Sequence, residues 1–176
     1  MEVRFERVKD CPHAILPERK TKKSGGYDFY VSENTVVPSI WNLFKNIPSG
    51  DYPVLFNLET VTELTKKYNI RPTLVPTGVK AYIPDDTILQ LSVRSSCPLK
   101  NWLVLANGVG IIDADYVDNI ANEGAIYFQL INFFPFDIEL KAGDCIGQGV
   151  IIPYLTTTDD NASGERVGGF GSTNGN

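Results

Sequence analysis

Short apolar runs recur along this chain, each closed by Gly, Pro, Asn or Asp. In residues 87–93, Leu89, Leu91 and Val93 fall on one face, while Gln90 and Ser92 fall on the other. That two-residue period belongs to a strand with one buried face. Further strands are predicted over 27–31, 102–106, 109–112, 125–134, 136–140 and 145–153, with a tight turn over 141–144. They follow one another too closely, and with too little helix between them, to build a parallel α/β sheet. The pattern predicts an all-β sandwich or barrel.

Two stretches depart from it. Residues 39–71 read as an insertion between strand regions. Within it Leu58, Val61, Leu64 and Tyr68 recur at helical spacing, with Asn57 as the N-cap. Such a helix packs its apolar side on the barrel and exposes Glu59, Glu63, Lys66 and Lys67. Residues 163–176 hold five glycines together with Arg166, Phe170, Ser172 and Thr173. Glycine-rich composition alone reads as disorder. The same residues also suit an arm that closes on a nucleotide, since backbone N–H groups cradle anions, Arg clamps phosphate and Phe stacks on a base. The division expected is therefore a β domain over 1–162 and an arm over 163–176.

Composition narrows the chemistry. The chain has 176 residues, one histidine and three well-separated cysteines. One histidine excludes multi-histidine metal sites, and no CxxC pair offers a structural zinc site. Isolated cysteines fit a reducing compartment. The formal charge of −5 argues against nucleic acid as the main partner, and no apolar run is long enough to span a membrane. Met1-Glu2-Val3-Arg4 opens no signal peptide. Chemistry is left to carboxylates, Arg, hydroxyls, glycines or a metal carried by the substrate.

Residues 103–116 are the most informative. An apolar run breaks at Asn107-Gly108, a hairpin signal, and then delivers Asp113 at the end of a second apolar run. Hairpin backbone groups suit reading the edge of a base, and a partly desolvated Asp suits a general base. Asp113 and Asp115 equally suit the capping of a turn. Arg94-Ser95-Ser96 at a strand end suits a polyphosphate, and Gly147-Gln148-Gly149 marks close backbone approach. Each segment alone has an ordinary structural explanation.

Together and in order, five segments resemble the motifs of the trimeric deoxyuridine triphosphatase (dUTPase) family: Gly25-Gly26-Tyr27-Asp28, Arg94-Ser95-Ser96, Asn107 to Tyr116, Gly143 to Gln148, and Arg166 to Thr173. The insertion is similar to that of a Gram-positive bacterial and phage subgroup. The resemblance implies a jelly-roll-like barrel forming a homotrimer, with active sites between subunits. It implies Mg2+-dependent hydrolysis of dUTP to dUMP and pyrophosphate, which keeps uracil out of DNA. The metal would ride on the substrate and its waters, and the setting would be cytoplasmic. Carried over by position, Asp113 is the general base and Tyr116 lies under the deoxyribose. Asn107, Gly110, Ile112 and Tyr127 surround the uracil. Arg94, Ser95, Ser96 and Gln148 hold phosphates from a neighbouring subunit. Arg166 reaches the terminal phosphate, Phe170 stacks on uracil, and Gly171, Ser172 and Thr173 wrap the phosphates. Asp28 supports the site.

The sequence departs from the family pattern in three places, the first being Val93 before Arg94, where many relatives have Pro. The fifth motif is one residue short after its Arg, and residues 117–123 lengthen the path from Tyr116 to Gly124. Two other readings accompany this one. The first is a dCTP deaminase-type enzyme on the same fold, with Glu123 as its catalytic acid. The second is a regulatory binding protein that meets a partner through the insertion.

Overall fold

The computed structural model describes residues 2–45, 58–67, 69–164, 166, 168 and 169. In chain order the elements are β1 (Arg4–Arg7), β2 (Tyr27–Tyr30), β3 (Thr35–Val37), α1 (Ile40–Lys45), α2 (Leu58–Lys67), β4 (Thr73–Pro76), β5 (Val79–Tyr82), β6 (Thr87–Val93), α3 (Ser96–Asn101), β7 (Leu103–Leu105), β8 (Gly110–Asp113), a 3-10 turn (Ala114–Tyr116), β9 (Tyr127–Asn132), β10 (Ile138–Leu140) and β11 (Cys145–Pro153). The architecture is all-β, as the spacing of apolar runs predicts. Two sheets carry the frame: β2-β11-β6-β8 and β4-β9-β7, joined by the pairs β1-β5 and β10-β3. Every strand pair is antiparallel.

The two main sheets face each other because alternation gives each one apolar face. From β6 come Leu89 and Leu91, and from β9 come Phe128 and Leu130, all essentially inaccessible. The glycines of β11 bring the layers close. A Cβ at Gly149 would lie 2.7 Å from Leu89 Cδ1 and 2.8 Å from the Phe29 ring, so only a bare backbone fits there. Asn132, buried at the end of β9, donates from Nδ2 to the carbonyls of Val37 and Phe136, both at 2.9 Å. Its Oδ1 accepts from Phe134 N at 2.8 Å. Those bonds complete a buried polar group and pin β9 against the β3-β10 pair.

Strand bounds differ from the sequence expectation at the ends. Phe133, Phe134 and Phe136 fall outside the strands predicted for them, and Phe136 is 68% exposed. Phe133 N still donates to Trp102 O, whereas Phe134 N and Phe136 O bond the Asn132 side chain, which turns the chain. The expected turn at 141–144 is present: Asp144 N donates to Lys141 O, and Lys141 N donates to Asp144 Oδ2.

The expected hairpin at Asn107-Gly108 is not one. Gly108 has φ +71° and its N–H donates to Leu105 O, so the turn itself is tight. Its flanking strands do not pair, however. β7 pairs with β9, and β8 pairs with β6, so the turn is a corner linking the two facing sheets. The physical reason is burial: Leu103 and Leu105 fill one sheet, and Gly110 leaves room for Leu91 in the other.

The helix of the insertion is present as α2. Glu63, Lys66 and Lys67 are exposed along it, as expected. The proposed cap Asn57, the face residue Tyr68, and the side chains of Leu58, Glu59, Val61 and Leu64 lie outside the described residues. So do the arm residues Phe170, Gly171, Ser172 and Thr173.

Candidate active site

The corner between the sheets opens a cleft. Its walls are Leu91 and Leu105 at the base, Asn107, Gly110 and Ile112 along the turn and β8, Tyr127 and Gln129 from β9, and Asp113, Tyr116, Arg166 and Gly169 at the mouth. An apolar base with polar groups on one rim is the usual form of a small-molecule site. Asn107, Gly110, Ile112, Asp113, Tyr116 and Tyr127, each a site residue expected from its place in the chain, converge here.

β8 delivers Asp113 opposite Ile88, and the chain then tightens into the 3-10 turn that carries Tyr116. Asp113 is partly buried, its side chain 46% exposed, and it accepts a hydrogen bond from the Arg166 guanidinium. Arg166 also donates from Nε to Asp115 Oδ1 at 2.6 Å. Burial works against the charge on Arg166, but Asp115 and Asp113 outweigh it and keep the guanidinium charged. Arg166, expected at the terminal phosphate, thus stands at the candidate base.

Tyr116 is buried, and its phenol donates to Ala125 O at 3.0 Å. Burial pushes the phenol's pKa up, and the hydrogen bond from Asn122 pulls it part of the way back. Gly169 crosses the ring closely enough that a Cβ there would lie 2.6 Å from Tyr116 Cε2. Any side chain at that position would push the arm off the cleft.

A second group of expected residues lies elsewhere. Arg94 and Ser95 are exposed where β6 ends, and Ser96 opens α3. Gln148 of β11 sits between Ser92 of β6 and Asp28 of β2. Gly26 makes room for it, since a Cβ there would be 2.6 Å from Gln148 Oε1. The Arg94 guanidinium lies beside the Cys145 thiol and the Asp28 carboxylate, whose negative charge favours it. Arg94 lies six residues along β6 from Ile88, the partner of Asp113. At about 3.3 Å per residue that separation is about 20 Å. Within one chain Arg94 and Asp113 therefore stand far apart, while Gln148 pairs with Ser92, next to the cleft wall Leu91.

Sequence reasoning missed Leu91, Leu105, Ile111, Gln129 and Gly169 as wall residues. Gln129 was within reach of the pattern: the buried positions Phe128, Leu130 and Asn132 place Tyr127, Gln129 and Ile131 together on the opposite face. Glu123, the acid of the deaminase reading, does not line the cleft. Its carboxylate accepts from Lys80 Nζ at 2.9 Å and Lys9 N at 3.0 Å. Among the described residues no three His, Cys, Asp or Glu side chains gather into a metal cage, and no helix is long and apolar enough to cross a membrane.

This geometry, a cleft at a sheet-to-sheet corner with Asp and Tyr on its rim, agrees with what comparison with known proteins finds. The dUTPase family model matches residues 46–174. The chain is 44% identical over 160 residues to the deoxyuridine 5'-triphosphate nucleotidohydrolase of Lactococcus lactis, covering 90% of this chain and 87% of that protein. The crystal structure of dUTPase from Streptococcus mutans superposes with a TM-score of 0.67 at 35% identity, covering 87% of this chain and 97% of that one. The dUTPase of phage phi11 of S. aureus shares the fold, with a TM-score of 0.63 at 18% identity over 93% of this chain and 97% of that one. The chain belongs to the dUTPase family.

Proposed function

We propose that this protein hydrolyses dUTP to dUMP and pyrophosphate with Mg2+, as a homotrimer whose active sites are shared between subunits. The observation that carries the reading is the cleft itself, in which the Asn107 corner, the Tyr116 ring and the Asp113 carboxylate share one small space. A pyrimidine fits among Asn107, Gly110, Ile112 and Tyr127, with its sugar over Tyr116. Asp113 then takes the proton of the water that attacks the α-phosphorus. The Arg166 guanidinium pairs with that carboxylate. The triphosphate, a stronger anion, draws Arg166 away and frees Asp113 to act.

The roughly 20 Å between Arg94 and Asp113 within one chain supports the shared site, because Arg94 stands too far from the Asp113 of its own chain to serve a phosphate beside it. With Ser95, Ser96 and Gln148 it holds the phosphates from a neighbouring copy. Asp28 supports Arg94 there. Phe170, Gly171, Ser172 and Thr173 close the arm over the base and phosphates. Hard oxygen donors on the phosphates and water suit magnesium, so the metal travels with the substrate and the chain supplies the charge-neutralising arginines. Three free cysteines fit a cytoplasmic setting.

Pyrophosphate release with Mg2+ from dUTP, dCTP, dTTP and UTP tests the reading. Release from dUTP alone supports it. Ammonia from dCTP would instead favour a deaminase, and silence on all four would favour a regulatory binding protein. A partner pulled down through residues 39–71 independently of Asp113 would add that second role.

A further inference from the structure

The loop that lengthens the path from Tyr116 to Gly124 is built as a closed polar unit, and the geometry points to Asn122 as a positioning residue that fixes the Tyr116 phenol and thereby tunes discrimination between deoxyribose and ribose. Asn122 Nδ2 donates to Tyr116 Oη at 2.7 Å. Its Oδ1 accepts from Asn119 Nδ2 at 2.8 Å and from Gly124 N at 3.1 Å. Asn119, buried, donates from the same Nδ2 to the backbone carbonyl of Tyr116 at 2.8 Å. Both ends of the tyrosine, its main chain and its hydroxyl, are therefore held by one loop. The phenol's own proton goes to Ala125 O, so Tyr116 Oη has both a donor and an acceptor fixed around it.

The loop is in turn closed by a clamp. Asp118 and Glu123, at its two ends, both have left-handed backbones, with φ of 56° and 61°. Such conformations cost free energy for non-glycine residues and persist where surrounding contacts impose them. Here the contact is a buried lysine: Lys80 Nζ donates to Asp118 Oδ1 at 2.5 Å and to Glu123 Oε1 at 2.9 Å. Tyr82 adds a bond to Asp118 Oδ2 at 2.7 Å. The order of support runs from β5 through the clamp and the two asparagines to the ring at the cleft. A ring held at both ends cannot slide to admit a 2′-hydroxyl, whereas a ring held only by packing has that freedom.

This rests on the proposed reading, in which a deoxyuridine nucleotide lies with its sugar over Tyr116. The test compares wild type, Asn122→Ala, Tyr116→Phe and the double variant. Readouts are kcat/KM for dUTP and UTP, the affinities for dUMP and UMP by calorimetry, and the melting temperature. Asn122→Ala is expected to lower the dUTP-over-UTP ratio about two- to tenfold, the range of one lost hydrogen bond. In the Tyr116→Phe background the same substitution is expected to change the ratio by less than about twofold, because its target hydroxyl is gone. An unchanged ratio in the single variant, or full independent effects in the double variant, would overturn the inference. Should Asn122→Ala fail to fold, Asn122→Asp, of the same shape but lacking the donor, takes its place under the same criteria. A wild type inactive on dUTP would sink the functional reading separately, and the dUMP-to-UMP affinity ratio would still judge the role of Asn122.

Discussion

Asp113 and Asp115 hold one arginine between them. The Arg166 guanidinium covers the Asp113 carboxylate, the proposed base, and Asp115 holds the other edge of the same arginine. Replacing Asp113 by Asn should leave the fold and nucleotide binding intact, since Asp115 still holds Arg166. It should lower kcat about 10²- to 10⁴-fold, because a carboxamide accepts no proton from water. Steady-state kinetics beside a thermal melt checks both halves. Near-normal turnover would remove Asp113 from the role of base. At Gly169, Ala is expected to lower turnover while leaving the melting temperature within a few degrees, because the added methyl meets the Tyr116 ring only where the arm crosses it.

At the scale of elements, the 117–124 loop behaves as a unit with its own pH and strain dependence. Hydrogen bonds from Lys80 hold the Asp118 and Glu123 carboxyls below their ordinary values. The unfolded chain then binds more protons than the folded one in the acid range, so stability rises with pH there. The contribution is complete above the ordinary carboxylate values of about 4 and drains away as pH falls through the depressed ones. Between about pH 5 and pH 3, wild type should therefore lose more stability than Lys80→Met, which starts lower and lacks the pairing. Denaturant midpoints across that range measure the difference, and parallel slopes would refute it. Gly124→Ala strains the same unit: φ is +79°, and the new Cβ would lie 2.7 Å from Val117 Cα. Left-handed backbone alone costs about 1–2 kcal/mol, so the melting point should fall by several degrees.

For the whole molecule the decisive quantity is the distance between Asp113 and Arg94. Within one subunit the two stand about 20 Å apart along β6, too far to be joined by side-chain motion alone. Under the proposed reading a second copy supplies Arg94. Asp113→Asn and Arg94→Ala homo-oligomers should each be nearly inactive, while mixing them under exchange should restore activity. Restoration comes from interfaces that pair one intact cleft with one intact Arg94. Absence of any recovery from a mixed trimer, verified by mass, would mean that each site is built within one chain. Truncation after Glu165 should spare assembly and cripple hydrolysis, with light scattering reading the first and pyrophosphate release the second.

Much of this protein is legible in its residues alone. Two-residue alternation is a local property of a strand with one wet face, so Thr87–Val93 announces its inward residues Leu89 and Leu91 without a fold to consult. About half of the cleft residues stand close together in sequence, from Asn107 to Tyr116, and for that reason they too were readable. What depends on contacts between distant segments was not. Asn107-Gly108 has the chemistry of a hairpin, and only the burial of Leu103, Leu105 and Leu91 in two different sheets makes it a corner. The helix over Ser96–Asn101 is short, sits at a strand end and carries too little periodicity to announce itself. The brace under Tyr116 was hidden by its long-range contacts. Lys80 and Asp118 are 38 residues apart, and a lysine in a strand and two acids in a loop have no local signature until folding removes water from between them. Local chemistry determined what the cleft is made of, whereas packing across the two sheets decided where those groups stand.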